Sequence, residues 1–114
     1  MSLESTTIER TFWSLPRDER DAIIRHGVAL RVSELSKRLF LAESKIHHLE
    51  EKYQTTLAQL ESQGVSDDAG FEMHEEYIMW HHWIEVAHKT RTDIDSLQEI
   101  SQRGLPQEES RAGN

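Results

Sequence analysis

The chain contains no cysteine, which removes disulfides, thiolate metal sites and cysteine nucleophiles together. It has two prolines and five glycines in 114 residues, so little interrupts a regular backbone and long helices are permitted. No apolar run approaches the ~18 residues of a membrane-spanning helix. The start, Met1-Ser2-Leu3-Glu4, has neither the basic stretch nor the apolar core of a signal peptide. P-loop, G-x-S-x-G, H-E-x-x-H and dinucleotide fingerprints are all missing. The expectation from these absences is a cytoplasmic protein that is not an enzyme, uses no cofactor and does not enter a membrane.

What is present is hydrophilic and helix-prone, with 30% charged and 36% hydrophobic residues. The net charge of −8 is unevenly distributed. Residues 1–53 hold nine acids and nine bases, whereas residues 54–114 hold twelve acids and four bases. Glu61, Asp67, Asp68, Glu72, Glu75 and Glu76 follow one another with no intervening base. Such a stretch repels phosphate backbones and attracts basic surfaces. Direct nucleic-acid binding is therefore disfavoured, and a basic protein partner is expected. A merely solvated loop is the plain alternative.

Two apolar seams organise the chain. Ser14, Pro16, Asp18 and Glu19 carry helix-start chemistry. Beyond them Ile24, Val28, Val32, Leu35, Leu39, Ala42, Ile46, Leu49 and Tyr53 alternate at spacings of three and four, a pattern sustained over about four heptads. With Val32, Leu39, Ile46 and Tyr53 at a positions, the g positions are Arg31, Arg38, Lys45 and Lys52, all basic, and Glu43 and Glu50 fall at e. Gly27 lies inside the run, where a kink or the end of a shorter helix is possible. Thr56-Leu57-Ala58-Gln59 has capping-box form and opens a short helix ending near Gly64, followed by an acidic loop to Gly70. A second long helix is expected from about Phe71 to Ser101. Its seam is Met73, Tyr77, Trp80, Ile84, Ala87 and Ile94, with Arg91 at one a site. Beside it runs a second stripe of Met79, Trp83, Val86, Thr90 and Leu97, so this helix should have two contact faces.

Three constellations deserve weighing as chemistry. Seven histidines suggest metal, and His74, His81 and His88 recur every seven residues where antiparallel pairing would bring Glu43 and Glu50 near. Glu85-Val86-Ala87-His88 also has the Glu-x-x-His spacing of di-iron bundles. These residues occupy polar flanks, however, and solvated or Glu-paired histidines are the favoured reading, so no metal site is assigned. His74-Glu75-Glu76 does not make an acid–base pair, because adjacent helix residues diverge by about 100°. The aromatic cluster divides: Tyr77 and Trp80 read as core, while Trp83, on the second stripe, suits a partner or self-association equally well.

Leu49-Glu50-Glu51-Lys52-Tyr53, the capped Thr56-Leu57-Ala58-Gln59-Leu60-Glu61, the Asp67-Asp68 loop and Glu76-Tyr77-Ile78-Met79-Trp80 occur in an order that resembles small helical bacterial antitoxins of toxin–antitoxin pairs. The resemblance covers residues 46–100, about half the chain. Those proteins usually carry Gly after the Lys-Tyr pair, where this chain has Gln54, and often lack an arm like residues 1–15. The resemblance implies an acidic helical protein that binds and neutralises a small, often basic toxin.

The expected fold is all-α: a long antiparallel, coiled-coil-like helical hairpin with a short connecting helix. The N-terminal segment or dimerisation would complete it as a three- or four-helix bundle. Residues 1–15 form an N-terminal arm or short helix, 16–101 the hairpin and 102–114 a disordered tail. Binding would use Met79, Trp83 and Val86 with the acidic residues from Glu61 to Glu76. A self-associating scaffold hairpin and a His/Glu metal-binding bundle are the alternatives, and a homo-oligomer is expected in either of the first two cases.

Overall fold

A computed structural model describes residues 3–66 and 68–103, with side chains from Thr7 onward. Four helices account for nearly all of them: α1 Leu3–Ser14, α2 Arg17–Tyr53, α3 Leu57–Gln63 and α4 Phe71–Arg103. No strand occurs among the described residues. The long helices α2 and α4 pack against each other as a hairpin. Their cross-contacts run antiparallel, since Lys52 meets Glu76 while Glu43 meets Arg91.

The helix ends follow local chemistry, with one departure. Ser14 was expected to open α2, but it closes α1 and its hydroxyl donates to the Thr11 carbonyl. Pro16, expected in the first turn, lies just before α2, where its carbonyl accepts from the Arg20 amide. Asp18 and Glu19 do occupy that turn, favourably for the helix dipole. Gly27 neither ends nor divides α2. At the far end Gln54 adopts a left-handed φ of 53°, and the Thr55 amide donates to the Glu50 carbonyl, the six-to-one bond of a Schellman stop. Glycine takes such a conformation without a Cβ penalty, so Gln54 holds it at a cost.

The capping box of α3 forms as its sequence suggests. The Thr56 hydroxyl accepts from the Gln59 amide at 3.2 Å, and the Gln59 side chain accepts from the Thr56 amide. Gly64 ends the helix at φ 81°, its amide reaching the Leu60 and Glu61 carbonyls. The Gly70 carbonyl then starts α4 by accepting from the His74 amide.

The chain divides into two compact units. The terminal unit comprises residues 1–33 with 95–114, and the central unit Glu34–Ile94. In the terminal unit α1 ends against the start of α2. The Arg20 guanidinium donates to the Trp13 and Leu15 carbonyls and lies 5.4 Å from the Trp13 ring centre. Of residues 102–114, expected as a disordered tail, Gln102 and Arg103 instead continue α4, and 104–114 lie outside the described residues.

The central unit holds the core. Leu35, Ala42, Leu49, Trp80 and Ala87 are buried as the seam requires, and Leu39, Ile46, Tyr53, Met73, Tyr77 and Ile94 are half-buried. In the terminal unit Val28 and Val32 are also half-buried. Ile84 departs from expectation at 36% exposed, whereas Thr90 of the second stripe is 2% exposed. The inward face of α4 is thus turned from the a positions toward the g positions. Arg91, at an a site, supplies the reason: a guanidinium resists burial without a buried partner, so it turns out to Glu43 and its neighbour Thr90 faces in.

Candidate functional site

At the loop end of the central unit, α3 closes one flank of the hairpin. Leu57 packs with Leu49 and Trp80, and Ile46, Tyr53, Leu60 and Tyr77 surround them. The Tyr53 and Trp80 rings stack at 6.0 Å and 25°. Trp80 is completely enclosed, and its indole N–H finds no partner among the described residues. An unmet donor of this kind costs about 1–3 kcal/mol, set against the much larger area the ring buries. Leu57 and Leu60 were legible as apolar residues one turn apart on a capped helix, but their sequence does not say which long helix they cover.

Charged residues fasten this end. Lys52, the last basic g residue, donates to Glu72 and, at 2.8 Å, to Glu76. The Tyr53 hydroxyl also donates to Glu76. Hydrogen bonds from Lys52 and then Tyr53 hold the Glu76 carboxyl below its ordinary range, while hydrogen bonds to Glu72 first and then Glu76 raise Lys52. Burial first, and then Glu76, push the Tyr53 phenol up. On α3, Glu61 accepts from the Tyr77 hydroxyl at 3.1 Å and lies 2.8 Å from His81 Nε2. The Tyr77 phenol is raised, chiefly by that hydrogen bond to Glu61.

These contacts redraw the acidic stretch. Glu61, Glu72 and Glu76 are engaged within the hairpin, Asp68 and Glu75 are exposed, and Asp67 lies outside the described residues. The heptad histidines also separate. His81 serves Glu61, His74 is half-buried and His88 exposed. Glu43 is taken by Arg91 at 2.6 Å, and Glu50 is half-buried on α2. Among the described residues no three His, Asp or Glu side chains converge as metal ligands would.

The second stripe faces the other flank. Val86 lies nine residues beyond Tyr77, about half a turn round the helix, so α3 covers one flank and leaves the other open. There a groove of about 360 Å³ runs between α2 and α4, lined by Leu41, Trp83, Val86 and Thr90 with Arg38, Lys89 and Asp93. Trp83 and Val86 are half-buried, and Leu41 is 47% exposed. Met79, one turn before Trp83, is 44% exposed. The candidates Met79, Trp83 and Val86 therefore share one open flank; Glu61 lies on the other with Tyr77 and His81, whereas Glu72 and Glu76 stand one heptad before Met79 and Trp83 and are held by Lys52. Leu41 was missed because its c position belongs to no seam of α2; only the approach of α4 makes it a groove wall. Compared with models of known protein families, with curated proteins and with solved structures, the chain gives no match.

Proposed function

We propose that this chain acts by binding another protein, as an antitoxin-like module that neutralises a small basic toxin through contact rather than catalysis. The observation that carries the binding reading is the groove of Leu41, Trp83 and Val86, an aromatic and aliphatic surface on the flank α3 leaves open. Half-buried Trp beside exposed aliphatic side chains is the composition of interface anchors. The net charge of −8 supports a basic partner, because long-range attraction steers encounter even where individual acids are paired internally. The toxin-directed form of the reading rests on the resemblance over residues 46–100, and a cytoplasmic site of action belongs with it. The test is co-expression with the product of the adjacent open reading frame. A co-purifying complex and restored growth are expected; the absence of both would sink the proposal.

Self-association is a second reading, favoured by large apolar side chains that the helices leave in solvent, among them Phe40 at 73% and Ile78 at 62% exposed. It calls for a dimer in sedimentation that Trp83→Glu dissociates without loss of helicity.

A further inference from the structure

The rim of the groove carries a charge pattern opposite to that of the chain. Arg38 lines it, and Lys45 follows one heptad along the same g row of α2. Both are exposed, and neither makes an ion pair with a described residue. On the facing wall Lys89 and Asp93 satisfy each other at 3.0 Å, so they add no net charge. Lys52, a further member of the same row, shows what these bases do when a carboxylate is within reach: it takes Glu72 and Glu76 from α4. Arg38 shares the groove with Trp83, Val86 and Thr90, and the one carboxylate in that lining, Asp93, is already taken by Lys89. A protein with eight excess negative charges thus places Arg38, which has no ion pair with a described residue, at its exposed apolar groove, with Lys45 next in the same row.

The floor sets the shape of what fits. Two antiparallel helices present a valley between their ridges, and a third helix is the element that fills such a valley, as in any three-helix bundle. Its apolar residues at i, i+3/i+4 and i+7 would meet successive turns of α4, here Met79, Trp83 and Val86. We propose, building on the protein-binding reading, that the groove seats one amphipathic helix of the partner protein. Its apolar stripe lies on Leu41, Trp83 and Val86, and its carboxylate-bearing flank pairs with Arg38 and Lys45. A basic partner meets this requirement locally: net charge steers the encounter, and the rim selects the segment that docks.

The test titrates the full chain with two labelled helical peptides of about three heptads, identical in their leucines. One carries Glu on the flanks and the other Lys. Fluorescence anisotropy should show the Glu peptide binding at least tenfold more tightly than the Lys peptide, with the difference shrinking as salt is raised. Arg38→Glu with Lys45→Glu should invert that preference. Leu41→Glu, an exposed position whose change leaves the core intact, should abolish binding with circular dichroism unchanged. Preference for the Lys peptide, equal binding of both, or indifference to charge reversal overturns the proposal. It is equally overturned if the wild-type chain is a dimer that Leu41→Glu dissociates, since the groove then holds a second copy. Binding that emerges only on truncation after Arg103 also overturns it, by giving the groove to the chain's own last residues. A complex with the adjacent gene product that survives Leu41→Glu would remove this inference and leave the protein-binding reading standing.

Discussion

Residues 17–33 and 34–53 are consecutive stretches of one helix and carry the same alternation of apolar residues, but they end in different environments. In the central unit Leu35, Ala42 and Leu49 are each 5% exposed or less. In the terminal unit Val28 and Val32 remain half-buried, and no described residue there is fully buried. Two differences in the neighbours account for this. The seams of the central unit hold small residues, Ala42 and Ala87, both buried, and small side chains in a seam permit close helix packing. Beyond them α3 adds a third element, and Leu57 closes the space over Leu49 and Trp80. In the terminal unit the corresponding space between α2 and α4 is a groove of about 330 Å³ lined by Val28, Ala29 and Val32 with Gln98, Ser101 and Gln102. A seam pattern therefore specifies which face turns inward, while the neighbours determine how completely it is covered.

The contrast breaks most readily at Trp80. Trp80→Ala should cost about 3–5 kcal/mol in urea unfolding, whereas Val32→Ala should cost about 1 kcal/mol because its side chain is only partly withdrawn from water. Equal losses would mean that the two units share one core. Hydrogen exchange offers the same comparison without mutation: amides of Ala42–Leu49 and Trp80–Thr90 should be protected longest, and those of Arg17–Val28 and Leu97–Arg103 should exchange first. Uniform protection along α2 would count against the division. A smaller effect should come from the cap of α3. Thr56→Ala should remove about 1 kcal/mol, read as a lower urea midpoint at unchanged slope. Gln54→Gly should raise stability by about 0.5–1 kcal/mol by relieving the left-handed residue at the end of α2, and a loss of stability there would refute the strain argument.

The smallest expected effect is the acid response of Glu76. Its folded carboxyl titrates below the unfolded value of 4.5, first because of Lys52 and then Tyr53. The folded state therefore binds fewer protons than the unfolded state in that window. The contribution is complete above the unfolded value and is lost as pH falls through the lower folded one. Thermal unfolding of Glu76→Gln should accordingly show a flatter decline between neutral and acid pH than the parent. The difference should be modest, since the Glu76 side chain is a quarter exposed and solvent screens the pair. An unchanged acid profile would detach this ion pair from the stability of the central unit.

Much of this was readable along the chain. The end of α2 at Tyr53, the start of α4 at Phe71, the capping box at Thr56, the stop at Gly64 and the inward d residues all follow from spacing and local hydrogen-bonding chemistry, which act within a few residues. The acids were legible in number but not in use. Nothing in the run from Glu61 to Glu76 distinguishes Glu76, held by Lys52 and Tyr53, from Glu75 beside it, which is exposed. That assignment depends on the register of α2 against α4, set by contacts about twenty or more residues apart in sequence.

The sequence by itself determined the helices, their apolar seams and the basic g row, because periodicity and capping are local properties of a polymer with about 3.6 residues per turn. Tertiary structure alone decided that α4 turns Thr90 inward and Ile84 outward, and that α3 covers the flank of Tyr77 and His81. It also decided that Leu41 joins Trp83 and Val86 on the flank left open. The physical reason is that a helix offers several faces of similar apolarity, and which one is buried is fixed by the shape and charge of whatever packs against it.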